Sequence, residues 1–409
     1  MIFLVALLAF YVAWNLGAND VANSMGTSVG SKAVTLRQAL VIAGVLEFTG
    51  AVLFGQQVAQ TLATKIVNPA LFTDTPQVLL VGMASVLIAC GVWLQIATSR
   101  GLPVSSSHAV VGAIAGFSAC AVGIKAIAWS SIGLITLGWL VTPILSALIA
   151  ALLYGTIKRW ILDQPDKVAQ LDEWIPWLSV ALVSVFGVIV LPPITNTPFI
   201  ANLLIPRHDI FLAIGGLAAT AITFSAWRQL AAEHTPNSTT VIERQLAKFQ
   251  LLSACFVAFA HGSNDVSNAI APLVVIAYIN NTGSVPQGFL NIPLWILVLG
   301  GAGIVAGLAV WGQKVIATIG ESIISLQPSG GFCAELATAT TILLASGLGL
   351  PVSTSHALVG GVVGIGLVQN YKSIQFSTLK NIAKVWIVTI PISAGLSAGL
   401  FSLARWLFL

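Results

Sequence analysis

The heptapeptide GANDVAN, at residues 17–23, returns as GSNDVSN at residues 262–268, 245 residues later. A second segment, GLPVSSSHA at residues 101–109, returns as GLPVSTSHA at residues 349–357, at the similar spacing of 248 residues. Two different motifs repeated at nearly the same offset indicate an internal duplication. We therefore divide the chain into a first repeat at 1–155, linking spans with short cytoplasmic loops at 156–244, and a second repeat at 245–409.

The composition around these motifs is that of a membrane protein. Hydrophobic residues make up 57% of the 409 residues and charged residues only 7%, and the mean hydropathy is +0.96. A soluble domain needs a surface with roughly 25–35% charged residues. A net charge of +4 without any Lys/Arg-rich run also excludes a nucleic-acid partner. The sequence therefore predicts an all-α polytopic membrane protein with the lipid bilayer as its solvent.

Apolar stretches long enough to cross a bilayer, about 20 residues each, predict 12 transmembrane helices. They cover 2–29, 38–60, 78–99, 103–123, 130–155, 174–192, 209–228, 249–279, 291–316, 332–349, 352–368 and 382–405. The spans 2–29 and 249–279 contain the two copies of the heptapeptide, which we call the signature. We expect both spans to be interrupted there, because polar side chains stand next to a glycine that tolerates unusual backbone angles.

The distribution of basic residues predicts the orientation. If the N-terminus lies outside, 13 of the 17 Lys and Arg residues fall in cytoplasmic loops, and only Lys65, Lys125, Arg207 and Arg405 lie outside. The positive-inside rule therefore predicts that both termini are outside. The two signatures are then seven crossings apart and oppositely oriented, so the repeats are inverted. Inverted repeats with a central binding site are a recurrent plan of secondary transporters.

The signature predicts a cation site. An acidic residue within a span costs about 3 kcal/mol on insertion scales. Each such residue is therefore expected to have a structural or functional role. Carboxylate and amide oxygens suit a hard cation such as sodium. The predicted sodium ligands are Asn19, Asp20, Asn23, Asn264, Asp265 and Asn268. Two further acids, Glu47 and Glu335, also interrupt apolar spans. For all four acids, an interhelical hydrogen bond from a protonated carboxyl group is the alternative.

The second repeated segment predicts an anion site. Pro103 and Pro351 end the preceding helices, and the hydroxyl-bearing residues after them begin new ones, which gives broken or re-entrant helices at the centre of the fold. Helix N-termini bind anions through free backbone N–H groups and the helix dipole. Alternatively, the hydroxyl groups only cap helices and pack closely. The predicted anion-facing hydroxyl triplets are Ser105, Ser106, Ser107 and Ser353, Thr354, Ser355.

His108 and His356 follow these triplets and raise the alternative of a Ser/His/Asp hydrolase. A triad needs one base and one nucleophile in unequal roles, whereas every candidate here is duplicated. We therefore expect no enzymatic activity, and we expect the two histidines to form hydrogen bonds at helix starts. No GxxxxGK[ST] sequence occurs, which excludes a nucleotide-binding loop of that type.

The duplicated GANDVANS and HGSNDVSNA sequences and the GLPVS[ST]SHA segments resemble the inorganic phosphate transporter family, the PiT-type sodium/phosphate symporters. The resemblance implies a 12-span inverted-repeat fold, a homodimer, and phosphate moved with coupling cations. It implies that Asp20, Asn23, Asp265 and Asn268 serve the cation and phosphate sites, that the triplets face phosphate, and that Glu47 and Glu335 are coupling acids. The chain departs from animal members at Met83, where they carry a glutamate, and it lacks their large cytoplasmic domain, which suggests a prokaryotic protein of the cell (inner) membrane.

The function predicted from these features is import of inorganic phosphate, coupled to sodium ions by alternating access and without an organic cofactor. An ionised aspartate beside the anion would accept a P–OH proton and would repel fully deprotonated sulfate. The alternatives are a sulfate permease of the same superfamily, a passive anion channel, and a proton-coupled phosphate or metal–phosphate symporter. In the proton-coupled alternative, Glu47 or Glu335 carries the proton.

Overall fold

A computed structural model describes residues 2–195, 207–233, 238–319, 324 and 326–408, and the predicted all-α class is confirmed there. These residues form thirteen α-helices and no strand. The helices up to the first linking loop are α1 (Ile2–Gly30), α2 (Leu36–Phe54), α3 (Gln56–Thr64), α4 (Pro76–Ser99), α5 (Ser106–Val122) and α6 (Trp129–Ile157). The remaining helices are α7 (Lys167–Thr195), α8 (Arg207–Ala231), α9 (Ser238–Thr282), α10 (Leu294–Ile319), α11 (Pro328–Gly347), α12 (Thr354–Asn370) and α13 (Phe376–Phe408).

Each of the twelve predicted spans falls on a helix, with one difference at 38–60. There the chain forms two helices, α2 and the nine-residue α3, which are separated at Gly55. Within the described residues, seven helices are long and apolar enough to cross a membrane: α1, α2, α4, α6, α8, α10 and α13. A polytopic membrane protein follows, whereas the number of twelve crossings stays a prediction.

The expected interruption of the two signature helices was wrong. Both signatures lie in continuous helices, α1 and α9, the second of which is 45 residues long. Their glycines serve close helix packing instead: a Cβ atom at Gly17 would lie 1.9 Å from the Ile304 carbonyl oxygen, and one at Gly262 would lie 2.0 Å from that of Glu47. Small residues allow such close approach of helix backbones in membranes. Each glycine is therefore required because it has no side chain, and not because it allows unusual backbone angles.

Helix contacts recur in pairs that match the duplication. Helix α1 packs on α10, and its counterpart α9 packs on α2; likewise α5 packs on α13, and its counterpart α12 packs on α6.

The two Gly-Leu-Pro segments lie at opposite ends of the helix bundle. Gly101 follows the C-terminus of α4, whereas Gly349 lies against Gln57 and Thr61 of α3, which precedes α4. We call these the Arg100 end and the Lys65 end. The boundaries of the repeats remain a prediction.

Candidate functional site

The two signature aspartates meet at one histidine in the middle of the bundle. The Nε2 atom of His261 lies 3.1 Å from Oδ2 of Asp265 and 3.9 Å from Oδ2 of Asp20. Asp20 comes from α1, and the other two residues lie one turn apart on α9. Ligating atoms of all three lie within 4.8 Å of one another, and all three residues are buried. The predicted convergence of the two signatures is therefore present in the fold.

Glu47 of α2 completes this cluster from the other side of the imidazole ring. Its Oε1 atom lies 3.2 Å from Nδ1 of His261 and accepts a hydrogen bond from Ser24 at 3.0 Å. Three carboxylates in one buried site repel each other unless positive charge compensates them. One oxygen of each carboxylate, on Asp20, Glu47 and Asp265, makes no hydrogen bond within the described part of the chain. Buried polar atoms are normally paired, and these acceptor oxygens suit a cation.

The amide groups of the first signature support the carboxylate of Asp20. Asn19 and Asn23 donate through their Nδ2 atoms to Asp20 Oδ1, at 3.3 and 3.0 Å. The spacing of three residues places Asp20 and Asn23 on one helix face, as expected from the sequence. With their nitrogen atoms turned to the aspartate, the two amides leave their oxygen atoms for other partners.

The second signature connects to the hydroxyl triplets of both repeats. The Thr354 hydroxyl donates to Oδ2 of Asp265. The Nδ2 atom of Asn268 donates to the hydroxyl oxygens of Ser106, at 3.2 Å, and Ser107, at 3.3 Å. All five residues are buried. Residues that lie about 160 and 90 positions apart in the chain thus form one continuous polar region.

The predicted helix starts are confirmed. Helices α5 and α12 begin at Ser106 and Thr354, and the preceding hydroxyl groups cap them. Ser105 accepts a hydrogen bond from the backbone N–H of residue 108 at 3.3 Å, and Ser353 accepts one from that of residue 356 at 3.4 Å. The capping alternative therefore describes these two serines, while the later triplet residues face the polar centre.

The remaining triplet residues also have defined partners. Ser107 donates to the Val352 carbonyl oxygen at 2.9 Å, which connects the two helix starts directly. The Ser355 hydroxyl lies 2.9 Å from that of Ser353. Ser355 also shares with Asn23 a cavity of about 310 Å³ that extends to the Gly101 segment. The cavity therefore reaches the first signature from the Arg100 end.

His108 and His356 form the expected hydrogen bonds near the helix starts. Their Nδ1 atoms lie 3.1 Å from the Trp386 carbonyl oxygen and 3.2 Å from the Trp139 carbonyl oxygen. The two rings make an edge-to-face contact, with centroids 4.8 Å apart. No carboxylate pairs with either ring in the described residues, so the arrangement is not that of a hydrolase triad.

Asn264, a predicted sodium ligand, has another set of partners. Its Nδ2 atom donates to the Ser346 hydroxyl at 2.9 Å and to the Leu350 carbonyl oxygen at 3.1 Å. Its Oδ1 atom accepts from the Val352 N–H at 3.3 Å. These bonds brace the segment between α11 and α12, and they give the ligand role of Asn264 no support in this conformation.

The two predicted coupling acids lie in different clusters. Glu335 accepts hydrogen bonds from the Thr27 hydroxyl, from the hydroxyls of Ser28 at 2.7 Å and Ser253 at 2.9 Å, and from Gln250 Nε2 at 3.3 Å. Its side chain is fully buried. Glu335 thereby ties α1, α9 and α11 together, whereas Glu47 belongs to the His261 cluster.

Sequence reasoning missed the partners of these acids. No role was assigned to His261 although it begins the HGSNDVSNA segment. The missed hydrogen-bond donors are Thr27, Ser28, Gln250 and Ser253. A signal was present, because polar residues in α9 recur at 250, 253, 261, 264, 265 and 268, close to helical periodicity in a mostly apolar helix.

Comparison with known proteins identifies the family of the chain. Residues 16–397 match the phosphate transporter family. The chain is 38% identical to the chloroplastic inorganic phosphate transporter 2-1 of Arabidopsis thaliana over 98% of this chain and 71% of that protein. It is also similar to a solved structure described as the sodium-dependent phosphate transporter, with a TM-score of 0.90 and 37% identity over 100% of this chain and 99% of that one. The chain therefore belongs to the phosphate transporter family and is a transporter rather than an enzyme.

Proposed function

We propose that this protein imports inorganic phosphate together with sodium ions, by alternating access between its two repeats. The observation that carries the proposal is the meeting of both signatures and both hydroxyl-capped helix starts in one buried polar region. Cations and an anion bound close together in a low dielectric attract strongly. Each therefore raises the affinity for the other.

Sodium is held, in this proposal, by the oxygen atoms around Asp20 and Asp265. Both aspartates keep a carboxylate oxygen without a hydrogen bond in the described chain, and Asn23 is within reach of the first. Oxygen ligands from carboxylates and amides match a hard cation. Similarity to a solved structure described as sodium-dependent supports sodium over protons as the coupling ion.

Phosphate is held by the two helix starts and their hydroxyl groups. The free backbone N–H groups at the N-termini of α5 and α12 supply donors and a positive dipole end. Ser106, Ser107 and Thr354 add hydroxyl groups beside Asn268. Asp265 beside Thr354 can accept a P–OH proton of phosphate, which sulfate lacks at neutral pH. The site therefore favours phosphate over sulfate.

Alternating access is supported by the placement of the repeated Gly-Leu-Pro segments. One copy lines the cavity at the Arg100 end, and the other lines a cavity at the Lys65 end. Exchange of conformation between the repeats would open one side while closing the other. The proposal includes a cell-membrane location, a homodimer, and both termini outside, the last because this orientation would place 13 of the 17 basic residues on the cytoplasmic side.

Uptake of labelled phosphate into proteoliposomes tests the proposal. Accumulation should require an inward sodium gradient, and Asp20→Asn or Asp265→Asn should abolish it while the protein remains folded. Asp74→Asn, in an exposed loop, is the matched control and should transport normally. Uptake driven by a pH gradient without sodium would assign the coupling to protons. Preference for labelled sulfate would overturn the substrate, and sodium-independent equilibration would indicate a channel.

A further inference from the structure

A second cavity of about 720 Å³ lies at the Lys65 end of the bundle. Its walls are α3, the segment 65–70, the segment 286–289 and the loop 347–349. Gln60 fixes two of these walls together, because its Nε2 donates to the Gly288 carbonyl oxygen at 3.0 Å and its Oε1 accepts from the Leu290 N–H at 2.9 Å. The cavity is therefore shaped by specific hydrogen bonds between distant parts of the chain.

The lining of this cavity carries one charge. Lys65 is its single charged lining residue, and no acidic side chain lines it. Within the described residues, the exposed Lys65 ammonium group has neither an ion-pair nor a hydrogen-bond partner. Asn68 uses its Oδ1 atom to accept from the Ala70 N–H at 3.0 Å, which leaves its amide nitrogen as a donor toward the cavity. These groups suit an anion.

The smaller cavity at the Arg100 end provides a comparison. It is lined by the other Gly-Leu-Pro segment, yet no charged residue lines it. Each cavity thus contacts one of the two duplicated segments, through Gly101 and Gly349, but the cavities differ in charge. A lysine at only one of them favours anion capture at that end.

One short loop separates the Lys65 cavity from the central site. In the orientation that satisfies its hydrogen bonds, the Gln57 amide donates to the carbonyl oxygens of Ser346, at 3.0 Å, and Gly347, at 2.9 Å. Asn264 holds the same loop through Ser346 and Leu350. Thr354, which contacts Asp265, follows this loop in the chain. The loop at 347–350 therefore forms one wall of the cavity and also leads into the central site.

We propose that the Lys65 cavity is a second phosphate site, in which the anion is captured from outside before the loop at 347–350 opens. The Lys65 ammonium is the charge partner, and the amide of Asn68 donates a hydrogen bond. This inference rests on the proposed function, because it assigns the Lys65 end as the entry side. A lysine exposed to water gives weak binding and faster encounter rather than tight retention.

Transport kinetics provide the first test. Lys65→Ala should raise KM for phosphate about threefold to tenfold with little change in kcat, as expected when a charge that steers a ligand is removed. The difference from wild type should shrink at high ionic strength, and Lys65→Arg should restore most of the affinity. Lys125→Ala is the matched control, because Lys125 is exposed at the same end but does not line the cavity. An unchanged KM, or an equal effect of both alanine variants, would overturn the proposal.

A labelling experiment separates this site from the central one. Ala70→Cys, at a position that lines the cavity but is not one of the two proposed ligands, is made in a background with Cys120 and Cys255 replaced by Ser and reacted with a membrane-impermeant maleimide in sealed vesicles. Inorganic phosphate should slow the reaction, and it should still do so after Asp20→Asn and Asp265→Asn have disabled the central site. Absence of protection alongside normal sodium-driven uptake would refute the capture site and leave the proposed function intact.

The same experiment distinguishes free phosphate from a lipid headgroup, which offers similar chemistry. Vesicles of phosphatidylcholine alone and vesicles containing phosphatidylglycerol are compared, each with and without inorganic phosphate. Protection that follows inorganic phosphate in both lipids supports the proposal. Protection that follows phosphatidylglycerol and ignores inorganic phosphate would assign a lipid site and overturn it. Labelling only from the inside would also overturn it, because the cavity would then face the wrong compartment.

Discussion

Replacement of His261 by glutamine should make the stability of the protein depend on sodium. Both ring nitrogens face carboxylate oxygens, those of Asp265 at 3.1 Å and Glu47 at 3.2 Å, with Asp20 at 3.9 Å. A doubly protonated imidazole satisfies this arrangement, whereas the glutamine amide is neutral. His261→Gln therefore leaves three buried carboxylates without their compensating group.

The expected loss of stability in His261→Gln follows from the burial of the three carboxylates. Removing one partner of a buried ion pair costs about 3–5 kcal/mol, because the other charge stays buried and unpaired. Sodium bound among the carboxylates would offset part of this loss, by about 2.7 kcal/mol when its concentration is 100 times Kd. In choline chloride, the melting temperature of His261→Gln should fall by about 4 to 6 °C, the free-energy loss divided by the unfolding entropy of a chain of this length. In sodium chloride, more than half of this loss should be recovered.

Thermal unfolding of the purified protein in detergent, in the two salts at equal ionic strength, measures this effect. His208→Gln is the matched control, because His208 is exposed on α8 and its one ion-pair partner among the described residues is the neighbouring Asp209, at 3.0 Å. It should show the wild-type melting temperature in both salts. An equal loss for His261→Gln in both salts would refute a sodium site at this cluster. No loss in either salt would refute the charge-compensating role of the ring.

Three further results are expected. Thr354→Val removes the hydrogen bond to Asp265 and should weaken phosphate binding by about 1.5–3 kcal/mol. The control Thr340→Val loses a bond within its own helix and should bind phosphate as the wild type does. Equal binding of both variants by isothermal titration would contradict the site. Ser106→Ala should weaken phosphate binding by about 1–2 kcal/mol, since Ser106 contacts Asn268 in the same polar region; unchanged affinity would leave it a structural residue. Glu335→Gln should lose sodium-driven uptake while the protein stays folded and keeps its phosphate affinity by isothermal titration, because Glu335 lies outside the His261 cluster. Loss of folded protein in size-exclusion chromatography would instead show a purely structural role.

Much of this site could be predicted from the sequence, because the features that build it are local. A proline followed by hydroxyl-bearing residues is enough to predict where α5 and α12 begin, and the caps at Ser105 and Ser353 follow from the same pattern. The spacing of Asp20 and Asn23 predicts their common helix face, and the bond between them confirms it. Duplication then indicates that the two sets of residues belong together.

The remaining features depend on packing between distant segments. The partners of Glu335 come from positions 27, 28, 250 and 253, and no local spacing relates those positions to each other. The role of Gly17 was misread for the same reason, since its close contact is with the backbone of Ile304 on another helix. A motif indicates which residues carry chemistry, but the tertiary packing decides whether a glycine supplies backbone freedom or space.

Comparison of the repeats shows that their symmetry is incomplete at the charged residues. The position equivalent to His261, one residue before the signature glycine, is Leu16 in the first repeat. Glu47 and Ile304 also occupy matching places, because their carbonyl oxygens face the signature glycines of the opposite repeats. The hydroxyl triplets, in contrast, are present in both repeats. If the repeats exchange conformations, the groups proposed to hold phosphate are kept, but the His261 cluster has no mirror image. The two states must then differ in their electrostatic free energy, and a cation bound at this cluster can favour one of them, because a ligand shifts an equilibrium only through different affinity for its two states.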